Sequence, residues 1–260
     1  MNTVITHFYN EEYLLPWWIN HHKKIFDYGI MINYHSTDRS VEICKELCPS
    51  HWKIVNTVNE TFVASTNDAE IKVHEQYLGE GFKIALTITE FLFIPTPLAG
   101  LNHYMIGNNY DSIKLWGVCM VDTDPHNLPT YDKTLFEQKH HGMIKDYPCD
   151  PRQDWGRDSY NYWYGRYYHN KPFANYIEGR HNLQEYTTQM HNAYILKYGY
   201  SPWNHNMINR GKKKYDGQDK NPKTVSEEEL NNIYNHFLPH AFDLREDNSF
   251  LNAYNYCVNL

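Results

Sequence analysis

The sequence predicts an α/β fold: a Rossmann-like, mostly parallel sheet flanked by helices. Short apolar runs of strand length alternate with segments of helical periodicity from Thr3 to Ile88. The connections between them are short, which makes the crossovers right-handed and the strands parallel. Glycine and proline punctuate the boundaries where the pattern changes.

The elements follow in order. Thr3 to Phe8 reads as a buried strand. Pro16 suits the first turn of a helix, and Trp18, His22 and Ile25 then recur at helical spacing. Tyr28 to Asn33 is a second strand, and the polar turn His35-Ser36-Thr37-Asp38 leads into a helix with Val41, Cys44 and Leu47 on one face. Trp52 to Val58 is a third strand. Asn67 or Asp68 is the expected cap of a helix carrying Ile71, Glu75 and Leu78, which Gly79 and Gly81 end. Phe82 to Ile88 is a fourth strand. Ligands bind such sheets at the carboxyl ends of the strands, so Thr6 to Asn10, Asn33 to Asp38 and Thr87 to Glu90 are expected to lie together.

The second half is less regular. Lys114 to Val121 reads as a strand ending in Asp122-Thr123-Asp124-Pro125, and Ala193 to Tyr200 as another, with a short strand at Asn175 to Ile177. Residues 146–169 are rich in Tyr, Trp, Asp and Arg without clear periodicity. Ser226 and Glu229 form a capping box for a helix near the C-terminus. The segment 211–223, GKKKYDGQDKNPK, is the most linker-like.

Composition narrows the function classes. With 260 residues, 41% hydrophobic and 21% charged, the chain is globular with length enough for a sizeable core. A net charge of -7 argues against a general nucleic-acid binder. The 23 tyrosines and 7 tryptophans supply faces that stack on bases and sugars or fill a core. The five cysteines include no C-x-x-C pair and read as core thiols of a reducing compartment. No secretion signal opens the chain and no run approaches ~20 apolar residues, so a cytoplasmic protein without a membrane span is expected. His21-His22 and His140-His141 suggest metal ligation. Adjacent helical residues point about 100° apart, so neither pair holds an ion unaided, and structural roles are the expectation.

ITHFYNEEYLLPWWINHH, GIMINYHSTDRS and the strand ending TEFLF resemble the nucleotide-sugar-dependent glycosyltransferases of family two and of the related family ninety-two type. The resemblance covers residues 1–95 and continues weakly through Gly179-Arg180-His181 and YGYSPW. It implies the GT-A fold as one domain over 1–260, with residues 1–95 the nucleotide-sugar-binding half and residues 96–260 an acceptor-binding half with C-terminal helices. Matched residue by residue, Thr6, Phe8, Asn10, Glu11 and Asp38 fall where the family holds the nucleoside. Thr89 and Glu90 would face the donor sugar or the acceptor, and Arg180 and His181 would approach the diphosphate. Asn33 and Tyr34 stand where many members carry an aspartate that reads uracil. Thr87 and Thr89 stand where the family carries the two aspartates of its metal motif.

The implied activity is transfer of a sugar from a nucleoside diphosphate to a hydroxyl of a glycan or other acceptor, with inversion as in family two. Charge builds on the departing phosphates, and a base must take the acceptor proton. Glu90, Asp154 and Asp158 are the candidate catalytic carboxylates. Family members ordinarily use Mg²⁺ or Mn²⁺ on carboxylates, and threonine hydroxyls are poor replacements. Three explanations stay open. Arg180, His181, Arg210 and Lys212 provide the positive charge; a metal binds elsewhere, at Asp122 and Asp124 with His181; or the fold keeps binding without transfer. Asp38 is equally a good N-cap, and Asp124-Pro125 is equally ordinary turn chemistry.

Overall fold

The computed structural model describes residues 1–60, 63–143, 165–181, 183–184, 188–216 and 225–259, with backbone alone at 188–191, 213–216 and 249. Its first half runs β1 (Asn2–Phe8), α1 (Leu15–His22), β2 (Tyr28–Asn33), α2 (Ser40–Leu47), β3 (Lys53–Asn56), α3 (Ala64–Leu78) and β4 (Phe82–Thr87). Then come β5 (Glu90–Phe93), α4 (Leu98–Gly107), β6 (Ser112–Val121), α5 (Leu135–Gln138), β7 (His141–Met143), β8 (Arg166–His169) and β9 (Thr188–Tyr200). Helix α6 (His205–Asp216), α7 (Glu227–Phe237), β10 (Phe242–Asp243) and α8 (Asn248–Val258) close the chain.

Among these residues the sheet has the order β10-β7-β6-β8-β4-β1-β2-β3, with β9 joining β6 to β5. Strands β3, β2, β1 and β4 are parallel. β8 is antiparallel to both β4 and β6, so β6 shares the sense of the parallel set. Alternation along each strand divides the core. Val4, Phe8, Met31, Ile84 and Leu86 face the layer of α1, while Ile5, Ile30, Ile32 and Ala85 face Ile71 of α3. Helices therefore cover both faces, the α/β arrangement expected. Phe8 registers with Asn33 and His7 with Thr87, so the strand ends converge as predicted.

Some boundaries differ, for identifiable reasons. Asn67 and Asp68 do not cap α3, which begins at Ala64. Both are buried in its first turns, where Asp68 accepts from the backbone of Gly179 at 2.9 Å. The third strand is shorter than expected, at Lys53–Asn56; just beyond it the Thr57 N–H still donates to the Asn33 carbonyl at 2.9 Å, while its hydroxyl bonds Glu70 at 2.6 Å. Asn175 to Ile177 reduces to one bridge, Tyr176 to Leu183. The linker-like stretch continues α6 as far as Asp216, and 217–224 lie outside the described residues. The Ser226–Glu229 capping box is present, with both reciprocal bonds. Among the described residues no helix is long and apolar enough to cross a membrane.

The segment after β4 depends on α1. β5 pairs with β9 along one edge only, and successive residues of a strand turn their polar groups to opposite edges. Glu90 and Leu92 direct theirs at α1. The Trp18 indole N–H donates to the carbonyls of Glu90 at 2.9 Å and Thr87 at 3.1 Å. His22 Nε2 accepts from the Leu92 N–H at 3.2 Å, and its Nδ1 donates to the Trp18 carbonyl at 2.9 Å. His21 Nε2 donates to the Leu92 carbonyl at 2.7 Å. The histidine pair thus closes the open edge of β5, which would otherwise carry buried, unsatisfied backbone groups.

Burial holds both imidazoles neutral, His21 near about 4 and His22 well below its ordinary range. A base whose folded pKa is depressed binds fewer protons folded than unfolded. Its stabilisation is complete above about pH 6.5 and is lost as pH falls toward 4. Thermal or urea unfolding is expected to show His21 alone removing on the order of 3 kcal/mol across that window. His22→Ala is expected to cost about 2–4 kcal/mol at pH 7.5 and to flatten the dependence. A wild-type midpoint independent of pH between 7.5 and 4.5 would contradict this assignment.

Candidate functional site

The carboxyl ends of β1, β2 and β4 form the candidate site. β1 lies between β2 and β4, where successive crossovers pass to opposite sides, the place where α/β sheets open a crevice. Asn10 adopts a left-handed backbone at φ 51°, which asparagine tolerates better than most residues. Its side-chain carbonyl accepts from the backbone of Thr37 at 2.8 Å and Asp38 at 3.3 Å, while its own N–H donates to Ser36. Asp38 accepts from Ser40 N–H at 2.9 Å and Glu12 N–H at 3.2 Å, and so locks the turn to the start of α2. Glu11 is buried and ion-paired with Arg210 of α6. Thr6 and Phe8 are fully buried within the sheet layer, with Phe8 packed in the main core. Of these five positions, Asn10 and Asp38 line the β1–β2 corner. Thr6, Phe8 and Glu11 support it from below.

The β4 tip carries the charge. The Thr87 and Thr89 hydroxyls bond each other at 3.0 Å. Glu90 is completely buried. Arg166 grips it with two parallel bonds of 2.8 and 2.7 Å, Lys197 approaches at 3.3 Å, and the Thr87 N–H donates at 2.9 Å. Burial would raise this carboxyl, but Arg166 and Lys197 outweigh it and hold Glu90 well below the usual carboxylate range. Such a group is a weak base. Arg166 also donates to the Gly179 carbonyl at 2.6 Å and thereby binds the tip to the loop of Arg180 and His181.

In that loop Gly179 and Arg180 both take positive φ, at 87° and 63°. An arginine in this conformation is strained. Asp68 holds it there, accepting from the Gly179 N–H at 2.9 Å and pairing with the guanidinium of Arg180. His181 lies against Arg166, Lys197 and Glu90. Its burial and the two cations keep it neutral, well below its ordinary range. Asp154 and Asp158 lie outside the described residues.

The donor sets do not suit a divalent cation at either position considered. At the β4 tip there are two mutually bonded hydroxyls and a carboxylate saturated by Arg166, Lys197 and Thr87 N–H. At the end of β6, Asp122 Oδ1 takes the Lys139 ammonium at 2.8 Å and Asp124 N–H at 3.0 Å, while Oδ2 accepts Trp203 N–H at 2.8 Å. Lys139 also donates to the Asp124 carbonyl at 2.6 Å, so a lysine supplies the positive charge of this turn. Of the cations considered from sequence, Arg180 and Arg210 are engaged with Asp68 and Glu11, and Lys212 pairs with Glu227 at 2.6 Å. A cleft of about 330 Å³, lined among others by Trp17, His21, Phe93, Tyr131 and Phe136, lies on α1 rather than at the tip.

No family model matches the chain, and no curated protein does. Among solved structures, S. aureus TarS in a form spanning residues 1–349 is similar at 17% identity and a TM-score of 0.34. The likeness covers 45% of this chain and 36% of that one. A further TarS structure gives the same identity and TM-score over 22% of its chain. A UDP-glucose pyrophosphorylase complexed with UDP-glucose is similar at 11% identity and a TM-score of 0.30, over 56% of this chain and 67% of that one. Likenesses this low identify no activity.

Sequence reasoning missed Arg166 and Lys197. Their signal was present: a lysine inside the apolar run AYILKYGY must be buried, and a buried cation requires a counter-charge. Glu90, at the end of an equally apolar run, is that partner. Arg166→Met is expected to cost about 3–5 kcal/mol in denaturant unfolding, because it leaves Glu90 underpaired in the core. Adding Glu90→Gln is expected to recover part of that loss by removing the stranded charge. Strictly additive losses would contradict the pairing.

Proposed function

We propose that the chain transfers a glycosyl group from a nucleoside diphosphate sugar to a hydroxyl acceptor, with inversion, at the ends of β1, β2 and β4. The observation that carries this reading is convergence. The segments that resemble the glycosyltransferases are separate in sequence, yet YNEE, HSTD and TITE end on neighbouring parallel strands at the switch point of the sheet.

In this reading Asn10 and Asp38 shape the nucleoside end of the crevice, supported by Thr6, Phe8 and the Glu11–Arg210 pair. Thr89 faces the donor. Arg166, Lys197 and Arg180, with His181 beside them, set a positive potential around the tip that favours the departing diphosphate. Glu90 acts as a positioning residue that organises those cations. The acceptor proton goes to a carboxylate of the aromatic-rich segment, Asp154 or Asp158. A second reading, donor binding without transfer, is favoured by the Thr87–Thr89 pair and the sequestered Glu90.

Calorimetric titration with a panel of nucleoside diphosphate sugars, in Mn²⁺ and in EDTA with free nucleoside diphosphate followed, decides between them. The expected result is binding and acceptor-dependent release that persist in EDTA. Asp154→Asn or Asp158→Asn then abolishes release and leaves binding intact. Binding without release across an acceptor panel would support the second reading. Failure of every donor to bind would overturn both.

A further inference from the structure

The His140-His141 pair is unused by the reading above, and the fold adds a third ligand to it. His141 opens β7 and pairs directly across the antiparallel ladder with Asp243 of β10. His140 immediately precedes it, and its backbone carbonyl accepts from Leu244 N–H at 3.1 Å. One ligand atom from each of His140, His141 and Asp243 lies within 4.8 Å of the other two, at half-buried positions on the sheet edge.

We propose that His140, His141 and Asp243 form a site for a first-row transition-metal dication of the Zn²⁺ type, which clips β10 to β7. The spacing supports it. His140 Nε2 and Asp243 Oδ2 stand 3.6 Å apart, too far for a hydrogen bond. Two ligands each about 2.0–2.1 Å from a tetrahedral zinc stand ~3.4 Å apart, so an ion fits between them with little movement. Two imidazoles and one carboxylate are a donor set suited to Zn²⁺ and its neighbours, with a fourth position left to water. Arg245 holds Asp243 with Nε bonds of 2.9 Å to Oδ1 and 3.0 Å to Oδ2 and an Nη2 bond to Oδ2, so the guanidinium must release Oδ2 for an ion to take it. The Arg245 side chain is 42% exposed, so its guanidinium can withdraw to water as a metal charge arrives. The neighbouring Lys139 sends its ammonium away to Asp122 and does not compete.

The consequence concerns the C-terminus. Among the described residues β10 has only two residues and pairs with β7 alone, yet α8 follows it and delivers Phe250, Ala253 and Cys257 to the main core. A metal bound to the folded state and not to the unfolded chain stabilises that junction by mass action. Nothing in this proposal depends on glycosyl transfer.

The test uses the full chain, stripped with EDTA and desalted, titrated with Zn²⁺ by calorimetry and with Co²⁺ by visible absorption. One saturable equivalent is expected, with a Co²⁺ d–d band and a Tm that rises with Zn²⁺. His140→Ala, His141→Ala and Asp243→Asn are each expected to weaken binding at least ~10-fold and to abolish the Tm rise, with circular dichroism confirming the fold. The chain carries 16 histidines, so binding retained in all three variants would place the ion elsewhere and overturn the proposal. Absence of saturable binding by the wild type would overturn it equally. If Asp243→Asn fails to fold, the two histidine variants carry the same decision.

Discussion

The β4–β5 segment has its backbone satisfied by side chains of one helix, and the site depends on that constraint. Trp18, His21 and His22 bond the backbone of Thr87, Glu90 and Leu92. Without them β5 would present an unpaired edge to the core. With them, the chain turns sharply at Ile88 and Thr89, and Glu90 enters the interior at a fixed point. Glu90 then determines where Arg166 and Lys197 sit, and Arg166 determines where the Gly179–Arg180 loop lies. An apolar helix face could have packed here equally well, but it could not have specified this position.

Buried polar groups recur as organisers across the fold. Glu75 of α3 is fully buried and bonds His169, Tyr176 and the Ala174 N–H. Glu70 bonds His7, Thr57, Asn59 and the Val58 N–H; burial would raise its carboxyl, but the contacts with His7, Thr57 and Val58 outweigh it and hold it down at about 2. The Asp122 carboxylate orders the end of β6 by accepting from the Lys139 ammonium and the Trp203 N–H. In each case a carboxylate ties together elements that are distant in sequence. Removing one partner would cost more than the pair contributes, since the other would remain buried and uncompensated.

The sheet was legible in the sequence because local periodicity encodes it. Val4, Ile5 and Phe8 alternate between two cores, and Ile30, Met31 and Ile32 do the same beside them. The strand ends were legible for the same reason, with Asn10 and Asp38 found together at the β1–β2 corner. The electrostatics of the tip were not. Glu90 and Arg166 are 76 residues apart, and Glu90 and Lys197 are 107 apart, so no local pattern links them. The histidine pair at 21 and 22 was legible as structural, and both rings bond backbone groups. Its partner, the edge of β5, was hidden because β5 pairs with β9, over a hundred residues away.

The role of α1 rests on two ring tautomers. His22 must carry its proton on Nδ1 to donate to Trp18, while His21 must carry its own on Nε2 to donate to Leu92. Long-range ¹⁵N–¹H correlation spectra of the histidine rings read this directly. The account predicts one pure Nδ1–H ring and one pure Nε2–H ring, both neutral from pH 7.5 down to 5.5. Two rings that exchange between tautomers and titrate near pH 6.5 would contradict it, and would remove α1 as the element that sets the site.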